Sequence, residues 1–211
     1  MDRFLLVTID TEADSFENWG VRLPFEFRSV PEGIGDRLMP LFQKYGIRPT
    51  FLISHEVLEN EPSVRFLRSL PDCELGTHCH WDAPDCPLYP GKSRYYVQGK
   101  FPYEAELRQM KSLTELFSAQ IGRRPLSFRA GRFGAGIHTG KILFELGYAF
   151  LLTTPHRFRS DCPLPLSMQQ VKVLSYMLSV SDIIFSYCSP PYDYYLSLLY
   201  ISKLFLSTLI I

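Results

Sequence analysis

Neither charge sign dominates this chain. Its 211 residues hold 22 Lys and Arg against 22 Asp and Glu, so it lacks the basic face that nucleic acids and anionic membranes select. No nucleic-acid partner is therefore expected, and a small neutral molecule or a sugar fits better. Cysteine is scarce. Five are present, an odd number without Cys-x-x-Cys spacing, which excludes a regular disulfide framework and suits a reducing compartment. No leader is expected either: Met1-Asp2-Arg3 runs straight into an apolar stretch, without a cationic segment or cleavage site, so the expected location is cytoplasmic. Histidine is sparse, and none follows His156. After Cys162 charge nearly vanishes, with four charged residues in the last fifty.

What is present is a repeating order of strand, loop and helix. Phe4-Leu5-Leu6-Val7 is a continuous apolar run of the kind a buried parallel strand needs. Ile34, Leu38, Leu41, Phe42 and Tyr45 recur at helical spacing and stop at Gly46, with Pro40 shortening or kinking the helix. A second strand is expected over residues 50–53, a short helix opened by Pro62 and Ser63, and a third strand over residues 73–75. Leu107, Met110, Leu113, Phe117 and Ile121 predict the longest helix, ended at Gly122. A fourth strand over 126–128, a helix ending at Gly147 and a fifth strand over 148–152 complete the pattern. Such alternation argues for an α/β fold with a parallel sheet or barrel. In a barrel the carboxyl ends of the strands converge on one face.

The chemistry-bearing residues fall at those ends. In Glu74-Leu75-Gly76-Thr77-His78-Cys79-His80 two imidazoles lie two residues apart; on extended backbone both point to one side and can reach one ion. Asp10 and Glu12 repeat the spacing with carboxylates after the first strand. Two like charges held close call for a cation or an arginine, so one acid can bind metal while the other serves as base. Asp14 is a third acid in the same register and stays open as a ligand. Arg129 and Arg132 follow the fourth strand. Imidazole with carboxylate is the usual donor set of hydrolytic zinc. Cys79 would point to the opposite side and reads as a small buried residue. His55 and His138 receive no role.

These motifs resemble those of the polysaccharide deacetylase family, the NodB-like metal-dependent deacetylases, over roughly residues 4 to 156. Thr8-Ile9-Asp10-Thr11-Glu12 is similar to the first motif, which implies Asp10 as catalytic base and Glu12 as metal ligand. Glu74 to His80 looks like the second, which supplies two metal histidines, here His78 and His80. Ser127-Phe128-Arg129-Ala130-Gly131-Arg132-Phe133-Gly134 looks like the third, whose arginine, here Arg129, fixes the base. The resemblance implies a deformed or incomplete (β/α) barrel, a divalent metal such as Zn2+, and removal of N-acetyl groups from an amino sugar or polysaccharide. It divides the chain into a deacetylase-like catalytic domain, 1–160, and an atypical apolar segment, 161–211.

Departures mark a divergent branch. Thr11 separates the two acids, and the residue four after His78 is Asp82, which rivals His80 as third ligand; His80 is preferred as the family's ligand type. One extra residue precedes Phe133, so Arg132 has no counterpart. The family's late Leu-x-x-His, whose histidine protonates the leaving amine, has no match; His156 is the one late histidine able to act as acid. That gap supports a rival reading as a catalytically impaired carbohydrate-binding or scaffold homologue, and the motifs also fit an amidohydrolase of a non-sugar amide. Aromatic loops with Trp19, Phe25, Trp81, Tyr89, Tyr95 and Tyr96 can stack on sugar rings. Residues 194–211 are long and apolar enough for a membrane helix, but Lys203 and three serines interrupt them. A core element or an altered C-terminus are the other readings of this tail, which is expected to leave the barrel unclosed.

Overall fold

The computed structural model describes residues 6–15, 23–80, 98–152, 172–174, 178–180 and 183–185. Six strands form one parallel sheet in chain order: β1 (Thr8–Thr11), β2 (Thr50–Ile53), β3 (Glu74–Cys79), β4 (Ser127–Ala130), β5 (Phe150–Leu152) and β6 (Lys172–Leu174). The order never reverses, unlike a doubly wound sheet, which turns back at a switch point. An antiparallel pair, β7 (Leu178–Val180) and β8 (Ile183–Phe185), stands outside that sheet.

The sheet is curled. In a flat sheet β1 and β4 would lie about 14 Å apart, three spacings of about 4.8 Å. Yet Arg129 on β4 donates to Asp10 Oδ1 on β1 at 2.5 Å and to Thr8 Oγ1. Glu12, just past β1, and His78 on β3 also touch at 2.9 Å across the intervening strand. Among the described residues β1 and β6 do not pair with each other. The fold is an incomplete (β/α) barrel.

Side chains alternate across each strand. Phe51, Ile53, Phe128 and Leu151 join the wholly buried outer layer against the helices, with Val57, Met110, Leu113, Phe117, Ile142 and Leu143. Those helices are α1 (Met39–Tyr45), α2 (His55–Glu59), α3 (Glu61–Ser69), α4 (Tyr103–Ile121) and α5 (Thr139–Glu145). A stretch of π-helix, Ser29–Leu38, leads into α1, and the Met39 N–H bonds back five residues to Ile34 O. Pro40, which has no N–H to give, then sits in the first turn of α1, where none is required. Asn60 caps α3 by accepting the Ser63 N–H at 3.0 Å. Gly46, Gly122 and Gly147 end their helices with φ of 63°, 82° and 83°.

Several boundaries differ from those expected. Strand β3 begins at Glu74 and runs on to Cys79, so His78 lies inside it. Strand β4 runs to Ala130, so Arg129 is a strand residue. Polarity hid both, because an interior barrel face that carries a site breaks the apolar runs by which strands are read. Helix α2 was not anticipated; five residues are too few to display a period. Strand β6, from the region beyond residue 160, adds to the same sheet beside β5. No described helix is long and apolar enough to cross a membrane, and residues 194–211 lie outside the described residues.

Candidate active site

Strand β1 places Thr8 and Asp10 on the interior face, and Glu12 follows on the same side one residue past its end. Strand β3 brings His78, and His80 comes just after it. Strand β4 brings Arg129, directly opposite His78 in the ladder. Asp10, Glu12, His78, His80 and Arg129 therefore meet at one end of the barrel.

Glu12 Oε1 lies 2.9 Å from His78 Nε2 and 3.2 Å from His80 Nε2. The three side chains each offer a ligand atom, all within 4.8 Å of one another. The two rings meet edge to face, centroids 4.8 Å apart and planes at 75°. Tetrahedral zinc with bonds of about 2.0–2.1 Å separates its donors by about 3.3 Å, and Glu12 Oε1 lies near that distance from both nitrogens. His78 is 2% exposed, whereas His80 and Glu12 are 23% and 31% exposed. The site is closed on the His78 side and open on the other.

The proton arrangement follows from the neighbours. His78 Nδ1 lies 3.0 Å from the Arg129 carbonyl, which only accepts, so Nδ1 carries the hydrogen. In the neutral ring Nε2 is then a bare lone pair. It is buried, faces Glu12, and has no aligned hydrogen bond among the described residues. A lone pair 2.9 Å from a carboxylate oxygen is repulsive unless a cation or proton lies between them. The donor set and this orphaned nitrogen fit a divalent metal. Burial pushes the Glu12 carboxyl up, but the charge of His80 and its hydrogen bond outweigh it. Its pKa is left well below the usual carboxylate range.

Beside the triangle, Asp10 is held through one oxygen. Its Oδ1 accepts from Arg129 at 2.5 Å and lies 3.6 Å from His78 Nδ1. Oδ2 has no hydrogen bond among the described residues. Arg129 is 1% and Asp10 6% exposed. A guanidinium buried this deeply is tolerable only when paired, and Thr8 supplies a second acceptor. Thr8 went unnoticed in the sequence, although it shares its parity with Asp10 and Glu12.

The loop after Glu12 is anchored by Glu56, which accepts the Ala13 N–H at 3.3 Å and the Ser54 hydroxyl at 2.5 Å. Asp14 is not part of the triangle. Its carboxylate accepts the N–H groups of Arg28 and Ser29, both at 3.0 Å, and pins the entry to the π-helical stretch. Cys79 is buried on the far side, within 3.9 Å of Gln109 on α4. His55 pairs with Glu59 at 3.6 Å, and His138 packs edge-on against Tyr103, centroids 5.6 Å apart. Arg132 takes up the extra residue of its motif in a left-handed conformation, φ 53° and ψ 26°. Phe25 packs on Phe27, centroids 6.2 Å apart. Asp82, His156, Trp19, Trp81, Tyr89, Tyr95 and Tyr96 lie outside the described residues.

No family model and no curated protein matches the sequence. The solved structures similar to this chain include CE4 family and deacetylase structures and an allantoinase. A CE4 family pseudoenzyme from Bacillus anthracis is 13% identical, over 70% of this chain and 42% of its own, with a TM-score of 0.47. A family 4 acetyl xylan esterase from Clostridium thermocellum, in complex with a cobalt ion, is 12% identical over 75% and 62%, with a TM-score of 0.44. A peptidoglycan deacetylase mutant from Bacillus subtilis is 12% identical over 68% and 55%, with a TM-score of 0.42. The chain spans about half the length of the solved chains it matches.

Proposed function

We propose that this chain is a metal-dependent hydrolase that removes N-acetyl groups from an amino sugar or polysaccharide in the cytoplasm. The observation that carries the reading is the Glu12, His78 and His80 triangle, with contacts of 2.9 and 3.2 Å, set beside an Asp10 carboxylate that Arg129 fixes. Glu12, His78 and His80 would hold the ion, and zinc suits two imidazoles and one carboxylate. When bound, such an ion polarises an amide carbonyl and acidifies water.

The rest falls to the chain's own residues. Asp10 is the base: Oδ1 is committed to Arg129, which leaves Oδ2 to accept a proton from water. Arg129 aims that carboxylate through a charge-assisted bond, and its own position is set by Thr8. His78 presents Nε2 because the Arg129 carbonyl holds its Nδ1–H. For the leaving amine, His156 is the proposed acid. The balanced charge of the chain supports a neutral sugar substrate over a nucleic acid.

The deciding assay is acetate release from N-acetylglucosamine oligomers by purified protein. Release should stop when metal is chelated and resume when it is restored. A second reading is a carbohydrate-binding homologue that keeps the metal and has lost turnover. Metal uptake and oligomer binding without acetate release would establish it.

A further inference from the structure

We infer that Gly131 is the positioning residue that makes His80 the third metal donor, an inference that rests on the metal site proposed above. Gly131 follows β4 and lies one step beyond the Cys79–Ala130 pair of the β3–β4 ladder, level with His80. Its φ is outside the left-handed region, where only Gly46, Gly122 and Gly147 among the described glycines fall. Backbone freedom therefore does not explain a glycine at this position, but space does. A methyl group on residue 131 would stand 2.8 Å from both Cγ and Nδ1 of His80 and 2.7 Å from the Cys79 carbonyl.

The His80 ring also meets His78 edge to face, centroids 4.8 Å apart. The ring is thus held in a slot, with Nε2 at 3.2 Å from Glu12 Oε1. Neither wall yields easily. His78 is buried and tied to the Arg129 carbonyl at 3.0 Å. The Gly131 turn is closed by its own carbonyl accepting the Gly134 N–H at 3.0 Å, and Gly134 O in turn accepts the Gly99 N–H at 2.6 Å. Of the groups a side chain on residue 131 would meet, the Cys79 carbonyl is main chain and the His80 ring is the one that can turn, and it turns away from Glu12. The missing Cβ thereby assigns the third position to His80 over Asp82.

The test is zinc affinity, measured by competition with a chromophoric chelator on the full chain. In G131A the affinity should fall by about 10–100-fold, the usual effect of disturbing a group that orients a ligand. The methyl acts through the ring, so G131A should weaken binding no further in an H80A background, even though its clash with the Cys79 carbonyl lowers thermal stability in both. D82A, which keeps Glu12, His78 and His80, should bind zinc as the wild type does. Wild-type affinity in G131A overturns the inference, as does an equal loss in the presence and absence of His80. Loss of zinc in D82A with retention in H80A overturns it independently of how G131A folds. A wild-type chain that takes up no zinc at all overturns both the inference and the metal site, whereas zinc uptake without acetate release removes only the enzymatic reading.

Discussion

His78 donates through Nδ1 to the main-chain carbonyl of Arg129, its opposite number on β4, at 3.0 Å. One residue thus serves the site twice. The Arg129 carbonyl fixes the tautomer of a metal-facing ring, while its guanidinium holds Asp10 at 2.5 Å. Because the first of these contacts is made by main chain, changing the Arg129 side chain separates the two roles.

Replacing Arg129 by Met should therefore keep metal and lose stability and turnover. It leaves the Asp10 carboxylate, 6% exposed, without its cation, at a cost of about 3–5 kcal/mol. For a chain of this size that is a fall in Tm of roughly 6–20 °C. Thermal unfolding and metal analysis read the two effects separately. A Tm unchanged within error would mean that the pair is solvated rather than buried.

Asp10→Asn should bind metal as tightly as the parent while acetate release falls by about 10²–10⁴-fold, since an amide cannot accept the proton. If the same variant emerged from dialysis without metal, Asp10 would be a ligand and the base would have to be found elsewhere.

Single Ala substitutions of Glu12, His78 and His80 should each weaken zinc binding by more than about 100-fold, beyond the range for groups that merely orient a ligand. Near-stoichiometric zinc in a His78→Ala, His80→Ala double variant would remove the site from this part of the barrel.

Tyr148 gives a pH dependence remote from the site. Its hydroxyl lies 3.0 Å from Thr77 Oγ1 on β3 and 2.9 Å from Thr114 Oγ1 on α4, and burial pushes its pKa up to about 12. In the unfolded chain the phenol titrates near 10, so above that pH the folded state binds more protons than the unfolded one and stability falls as pH rises. The contribution is intact below about pH 10 and is lost towards pH 12, at most roughly 2–3 kcal/mol for two pKa units. Denaturant melts should show a smaller loss between pH 10 and 12 in Tyr148→Phe than in the parent; equal losses would assign the alkaline instability to other groups.

The chain itself determined which chemistry is on offer and roughly where each piece falls. Acids at 10 and 12 and imidazoles at 78 and 80 are separated by two, and a two-residue period on extended backbone puts each pair on one side whatever surrounds it. Helix ends were equally local, since Gly46, Gly122 and Gly147 each adopt the positive φ that stops a helix. What the sequence left open was decided by curvature. Only the curl of the sheet brings β1 against β3 and β4, and with it Glu12 against His78, Arg129 against Thr8, and the lone pair of His78 towards the carboxylate. Asp14 illustrates the point: it shares the register of Asp10 and Glu12, but lies past the strand, where the chain turns to cap the π-helical stretch. Those contacts join residues up to 121 positions apart, and no local pattern encodes them, because they depend on how many strands lie between and how far the sheet bends.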